Sequence, residues 1–409
     1  MKIIKSITWI FFANLLVSIT KWLIVVLIAQ FLIPEEVGKY SLAFAISAPI
    51  TLFANMKLRS LYITENMPSF SEYIYVRNIL SLLAFIILFL IAILVYPPYF
   101  SVIMLVGLSK ILDLQSDMYY AIPHKNGKMD AIGKIMIIKH LLTLVTFSCV
   151  LLISKNLILS LSAQLITQIL FLVLIEKKHF RGKYDGNVKD DNITKSKETI
   201  KNIILLGLPL GFVQMLVSFN TVFPRYLLEH FEPIEILGYF SAIIYILTIG
   251  NMMLNAISQI FLPSLSNKIA KNELKSFKKT VFVNLTIFSS LLGLIIIIFS
   301  LMLGESFLTI VYGSEYGNYT DILILMSCAL AINFVSWNFD TALLSMRYIS
   351  IQPKITTFIL LINLFTSYYL IKNFGISGAA YTLIIINLIQ LILRVYFVNK
   401  RLGALAKTS

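Results

Sequence analysis

The stretch VFVNLTIFSSLLGLIIIIFSLML, residues 281–303, runs for 23 residues without a charged side chain. At about 1.5 Å of rise per helical residue it is long enough to cross a hydrocarbon layer of about 30 Å, and nothing in it marks a solvated face. The rest of the chain has the same character. Of 409 residues, 58% are hydrophobic and only 13% charged, with a mean hydropathy of +0.86. A soluble protein carries about 25% charged residues. The lipid bilayer is therefore the main solvent, and the fold class is an all-α polytopic membrane protein.

Twelve segments can be read as spans, at residues 7–33, 37–56, 79–95, 100–121, 135–153, 157–175, 203–228, 237–262, 281–303, 321–344, 355–371 and 376–398. The net charge of +14 is unevenly placed. Assigning Lys and Arg to the N-terminus, the even-numbered loops and the C-terminal tail accounts for 28 of the 34, while the opposite loops carry Glu35, Glu36, Glu229, Glu232, Glu235, Glu305 and Glu315. By the positive-inside rule both termini are expected in the cytoplasm, and the basic excess needs no nucleic acid to explain it. The first segment is too long for a secretory leader and lacks a small-residue cleavage site, so it reads as a retained span. The longest loop, residues 176–201, mixes eight basic and five acidic residues and reads as a solvated linker that touches anionic lipid.

That linker lies near the midpoint and prompts a search for duplication. A shift of 200 residues superposes Glu35, Gly38 and Ser41 on Glu235, Gly238 and Ser241. A shift of 217 superposes Lys155, Asn156 and Ser160 on Lys372, Asn373 and Ser377. Six spans per half would insert in the same orientation. The expectation is two parallel six-helix lobes, residues 1–200 (including the linker) and 201–409, around a central cleft, which is a transporter architecture.

A charge at mid-bilayer is costly and normally faces a partner or a wet cavity. Lys21 sits near the centre of the first span, with Asn14 on the same helical stripe. In the fourth span Lys110, Asp113 and Asp117 recur at i, i+3 and i+7, spacing that puts them on one face and lets Lys110 and Asp113 form an internal ion pair. The seventh span holds Asn220 and then Pro224, Arg225, Tyr226 and Glu229, where the proline opens the helix and Arg225 can reach Glu229. The tenth holds Asn333, Trp337, Asn338 and Asp340. Trp22, Tyr226 and Trp337 flank these polar stripes and are the aromatic candidates for stacking on a sugar. Cys149 and Cys328 lie in apolar runs and read as packing residues, and His124, His140, His179 and His230 have no metal-ligand spacing.

No phosphate-binding loop of the G-x-x-x-x-G-K-[ST] type occurs in the sequence, so active transport would draw on ion or lipid gradients. The external loops are too short for a catalytic domain and no nucleophile or paired-carboxylate constellation stands out, which argues against an enzyme.

Four stretches carry a family likeness. Leu32-Ile33-Pro34-Glu35-Glu36-Val37-Gly38-Lys39-Tyr40-Ser41 resembles the turn into the second helix of polysaccharide-export flippases. Pro224-Arg225-Tyr226-Leu227-Leu228-Glu229, followed by Leu237-Gly238-Tyr239-Phe240-Ser241-Ala242, resembles another stretch of that family. Ile310-Val311-Tyr312-Gly313-Ser314-Glu315-Tyr316 is similar to its loop before the tenth helix, and Gly375-Ile376-Ser377-Gly378-Ala379-Ala380 to the start of its last helix. Their order and spacing cover nearly the whole chain. The resemblance is to Wzx-type O-antigen and polysaccharide flippases, in the polysaccharide transport branch of the multidrug, oligosaccharidyl-lipid and polysaccharide exporter superfamily.

It implies a multi-pass protein of the bacterial cytoplasmic (inner) membrane. The implied cargo is an undecaprenyl-diphosphate-linked oligosaccharide of O-antigen, lipopolysaccharide or capsule type, moved to the outer leaflet by alternating access. A diphosphate needs cations in a hydrated cleft: Lys21 and Arg225 first, with Lys110 and Arg59 behind them, and Asn14, Asn220 and Trp337 facing the glycan. No cofactor is implied; proton or sodium coupling would enter through Asp113, Asp117 or Asp340. Membrane lipid and, beside the cargo, a glycan polymerase and other surface-polysaccharide assembly proteins are the expected partners, with no nucleic acid. Two rivals remain: a small-cation antiporter of the same superfamily, which would favour a carboxylate-lined cavity, and a membrane enzyme of lipid-linked sugar assembly, which would need a large outer loop.

Overall fold

The structure is a computed structural model that describes residues 2–64, 70–178, 180 and 197–408. Most of the 176–201 linker, including Arg181, Lys183, Asp185, Lys189, Asp190, Asp191 and Lys195, lies outside the described residues, as do His179 and the side chains of Lys2 and Lys5. Every described element is helical. Among the described residues ten helical segments are long and apolar enough to cross a membrane, from Trp9–Phe31 to Ile349–Ala406, and Ile234–Thr248 is a shorter apolar helix. The chain is thus a multi-pass membrane protein, and it divides into two compact units, Met1–Val222 and Phe223–Ser409.

The first unit contains α1 (Lys2–Phe31), α2 (Pro34–Asn55), the short α3 (Leu58–Thr64), α4 (Phe70–Leu94), α5 (Phe100–Lys125), α6 (Met129–Ser154) and α7 (Leu157–Phe171), which continues into a wider π turn, Leu172–Lys177. Helix α2 begins on Pro34, whose fixed φ suits a first turn. Its Gly38, Ser41, Ala43, Ala45, Ser47 and Ala48 are buried, because small side chains let neighbouring backbones approach where lipid offers no hydrophobic drive. Helices α1, α4 and α5 pack on it, α1 pairs with α6, and α7 closes against α5 and α6.

The unit boundary falls inside α8 (Lys197–Phe231). The second unit continues with α9 (Ile234–Ala270), α10 (Leu274–Lys279), a π turn Thr280–Leu285, α11 (Thr286–Tyr312), α12 (Ser314–Gly317), α13 (Thr320–Ser345) and α14 (Gln352–Thr408). Here α13 is the central helix, touching α9, α11 and α14. Its Phe339, Ala342 and Leu343 join Leu265, Phe277, Val281, Ile355 and Val398 in one apolar core.

The 57 residues of α14 are two helices joined at Gly375, where φ 53° and ψ −131° break the helix. A side chain at that φ would be strained, and a Cβ at Gly375 would also meet the Glu232 carboxylate at 2.4 Å. Three residues on, a Cβ at Gly378 would lie 2.1 Å from the Leu370 carbonyl oxygen. The G-x-x-G pattern noted in the sequence is therefore a helix corner that only glycine fits.

The two lysines matched by the 217-residue shift each lie beside an aromatic ring. In the first unit, Lys155 lies 4.2 Å from the centroid of the Phe31 ring, joining the end of α1 to the α6–α7 corner. In the second, Lys372 lies 5.8 Å from the Tyr368 ring, which meets Phe231 at the end of α8 edge-on at 5.7 Å.

Candidate functional site

Helices α1, α2, α5, α6 and α7 line a small, partly open cavity of about 60 Å³ inside the first unit. Its polar lining includes Lys21, Lys110, Asp113, His140, Gln164 and Gln168. Helical spacing explains the wall from α5, since Val106, Ser109, Lys110 and Asp113 recur at i, i+3, i+4 and i+7 and share one stripe. The Lys110 ammonium sits 3.3 Å from the Phe44 ring centroid, a cation–π contact on the cavity wall. Lys21 is exposed on α1 and, with His140, lies within electrostatic reach of Asp113.

Beneath the cavity lies a buried charge network. Lys139 on α6 is 1% exposed and donates to Ser116 Oγ at 2.7 Å and to Asp113 Oδ1 at 3.3 Å. Its ammonium is 3.8 Å from Glu176 Oε1. Glu176 is 0% exposed, accepts a short hydrogen bond from the Tyr120 hydroxyl, and has a second carboxylate oxygen without a hydrogen-bond partner among the described residues. The π turn at Leu172–Lys177 carries Glu176; its extra residue per turn re-aims side chains, and such turns recur at functional sites.

Three expectations are corrected here. The loop reading put Glu176 at the head of the solvated linker, whereas the helix continues past it and buries it. The 28 basic residues assigned to loops and termini include Arg77, Lys139 and Arg394, all of which lie inside helices and are 0%, 1% and 7% exposed. Arg77 donates to the carbonyls of Ala54 at 2.8 Å and Asn55 at 3.0 Å, closing the end of α2. Helix α4 starts at Phe70, nine residues ahead of the predicted span at residue 79, and so takes Arg77 into the helix. The third correction concerns Asp113: its ion-pair partner is Lys139, across to α6, instead of Lys110 on its own helix.

The remaining sequence candidates are dispersed. Arg59 pairs with Asp117 at 3.1 Å and with His124 Nδ1 at 3.2 Å, a cluster separate from the cavity lining. Asn14 is exposed on α1 and Asn220 is half-buried on α8. In the second unit Arg225 is buried, with its guanidinium 5.6 Å from the Tyr245 ring centroid; among the ion pairs of the described residues there is none between Arg225 and Glu229. Trp337 is half-buried, and Asp340 is held by Arg394 at 3.1 Å and Gln352 at 2.7 Å. Sequence reasoning missed Lys139, His140, Gln164, Gln168, Glu176 and Arg394. The available signal was that Lys139 and Arg394 fall within the predicted fifth and twelfth spans, where a charge demands a partner.

Comparison with known proteins fits this arrangement. The chain is 34% identical over 408 residues to the capsular polysaccharide biosynthesis protein CapF of Staphylococcus aureus, covering 97% of this chain and 99% of that one. Its fold matches an inward-facing multidrug resistance MATE family transporter of the MOP superfamily with a TM-score of 0.75 at 14% identity, over 96% of both chains. It matches the lipid II flippase MurJ, in an inward closed conformation, equally well, at 16% identity over 96% of this chain and 89% of that one. The fold is therefore that of membrane exporters and flippases. Residues 3–267, well over half of the chain, match the family described as polysaccharide biosynthesis protein, and with the full-length relative this establishes that the chain belongs to that polysaccharide biosynthesis family.

Proposed function

We propose that this protein is a flippase that moves an undecaprenyl-diphosphate-linked oligosaccharide from the cytoplasmic to the outer leaflet of the bacterial cytoplasmic membrane. In this reading twelve crossings form two lobes that alternate access, with both termini in the cytoplasm. The observation that carries it is the intramembrane cavity in which Lys21 and Lys110 stand beside the Asp113–Lys139–Glu176 network. A diphosphate is matched by ammonium groups that are not all neutralised by carboxylates, and Lys21 is the exposed cation of that wall. Arg225, buried over Tyr245, supplies a further cation in the second unit. The relative's role in capsule biosynthesis and the family match support a surface polysaccharide as cargo, handed on to a polymerase and other assembly proteins. Two cavity lysines also weigh against a small-cation antiporter.

Asp113 is the best placed of the three carboxylates for proton or sodium coupling, because it opens to the cavity while Asp117 and Asp340 are held by Arg59 and Arg394. The direct test is Lys21→Ala in cells that depend on this protein. Surface glycan should fall at least tenfold while protein abundance in the membrane is unchanged, and undiminished glycan at equal abundance would refute the role of Lys21.

A further inference from the structure

The intramembrane cavity makes no use of two motif stretches of the second unit, at residues 237–242 and 310–316. They meet in space. Helix α8 runs away from the linker, α9 starts at the end α8 reaches, and α11 returns to that end after α9 has crossed back. There the Tyr312 hydroxyl donates to the Ala242 carbonyl at 2.8 Å and the Tyr239 hydroxyl donates to Glu315 Oε2 at 3.0 Å. The Tyr239 ring stacks on Tyr319, with centroids 4.2 Å apart and planes at 22°, and meets Tyr316 edge-to-face at 4.9 Å. Tyr316 is buried beneath them, its hydroxyl without a hydrogen-bond partner among the described residues. Tyr239 and Tyr319 remain partly exposed, with Glu235, Glu315 and Asn318 exposed around them.

The result is an aromatic surface held rigid from below and edged by carboxylates. Glu315 spends one oxygen on Tyr239, so the other can accept hydroxyl donors. Burial and the nearby carboxylates of Glu235, Glu232 and Glu315 hold the Tyr319 phenol above its ordinary range, so it stays a neutral hydroxyl. Pre-organised aromatic faces with a few fixed polar groups bind ligands at low entropic cost. A sugar offers what this surface lacks: an apolar C–H face for the ring and hydroxyl donors for the carboxylates. The acidic rim repels uronic acids.

We propose that Tyr239, Tyr319 and Glu315 form a saccharide-binding platform at the end of the second unit opposite the linker, selective for neutral or N-acetylated sugars. The proposal rests on the glycan cargo proposed above and assigns that cargo a contact outside the intramembrane cavity.

The test is saturation-transfer NMR on the full-length protein in lipid nanodiscs, with N,N′-diacetylchitobiose as the probe and a glucuronate-containing hyaluronan disaccharide as the comparison. Chitobiose ring protons should receive saturation, Tyr319→Phe should preserve the signal, and Tyr319→Ala and Glu315→Gln should each reduce it at least fivefold. The hyaluronan disaccharide should give at least tenfold less. A chitobiose signal equal in wild type and Tyr319→Ala, no signal in wild type, or equal signals for the two sugars would overturn the platform. A protein that binds chitobiose through Tyr319 but moves no lipid-linked glycan would overturn the cargo reading alone. One that moves the glycan with no chitobiose signal would overturn the platform alone.

Discussion

Replacing Lys139 by Met removes the cation shared by Asp113 and Glu176 while keeping an unbranched chain of similar length. The two contacts, at 3.3 and 3.8 Å, correspond to attractions of about 5 and about 4 kcal/mol at an effective dielectric of ~20. Desolvation of the ions offsets much of this in the intact network, but removing one member leaves the other charge buried without compensation, which costs about 3–5 kcal/mol. Glu176 bears that cost, because it is fully buried and, among the described residues, keeps the Tyr120 hydroxyl as its hydrogen-bond donor, whereas Asp113 can turn to the cavity. In the double variant Lys139→Met/Glu176→Gln the stranded charge is gone and Tyr120 can still donate to the amide oxygen. The loss should shrink to about 1 kcal/mol, since a buried ion pair replaced whole is often nearly neutral. Reversible unfolding of wild type, both single variants and the double variant in mixed dodecylmaltoside–SDS micelles gives the coupling directly. The network requires at least about 2 kcal/mol; a coupling below about 0.5 kcal/mol, the scatter of independent sites, would show that Lys139 and Glu176 do not stabilise each other.

Two further substitutions probe the scaffold. Arg77→Met leaves the Ala54 and Asn55 carbonyls at the end of α2 without their charged donor and should lower stability by about 3–6 kcal/mol, at about 1.5–3 kcal/mol per hydrogen bond to a charged group; the same unfolding assay reads it, and a loss under 1 kcal/mol would contradict the capping role. Gly378→Ala sets a Cβ against the Leu370 carbonyl and should cost about 1–3 kcal/mol, as overpacking does, whereas the same change at Gly403, where a Cβ meets nothing within 4 Å, should be neutral.

The sequence exposed the apolar runs, and with them the polytopic helical fold, because crossing a bilayer requires a length and a composition that no other element needs. The Gly375–Gly378 corner was visible as a motif, though not as geometry. The intramembrane site was half legible. Lys21, Lys110 and Asp113 stood out because they interrupt apolar runs, and they do line one cavity. Lys139, Arg77 and Arg394 were hidden by the same logic, since assigning a basic residue to a loop takes charge as a sign of water. Their partners lie on other helices, 26 residues away for Lys139 and Asp113 and 58 for Arg394 and Ser336, and helical spacing relates only neighbours on one helix. Glu176 was lost at a span edge, where hydropathy falls although the π turn carries the helix on and turns Glu176 itself inward.

The central claim is tested most directly by reconstituting the purified protein in liposomes that carry a fluorescent, short-chain polyprenyl-diphosphate-linked oligosaccharide in one leaflet, and following its exposure to a membrane-impermeant glycosidase. The account predicts that glycan reaches the opposite leaflet far faster than in protein-free liposomes, and that Lys21→Ala brings the rate back to that background. Wild-type protein that moves the glycan no faster than empty liposomes, while expelling a small organic cation, would contradict it.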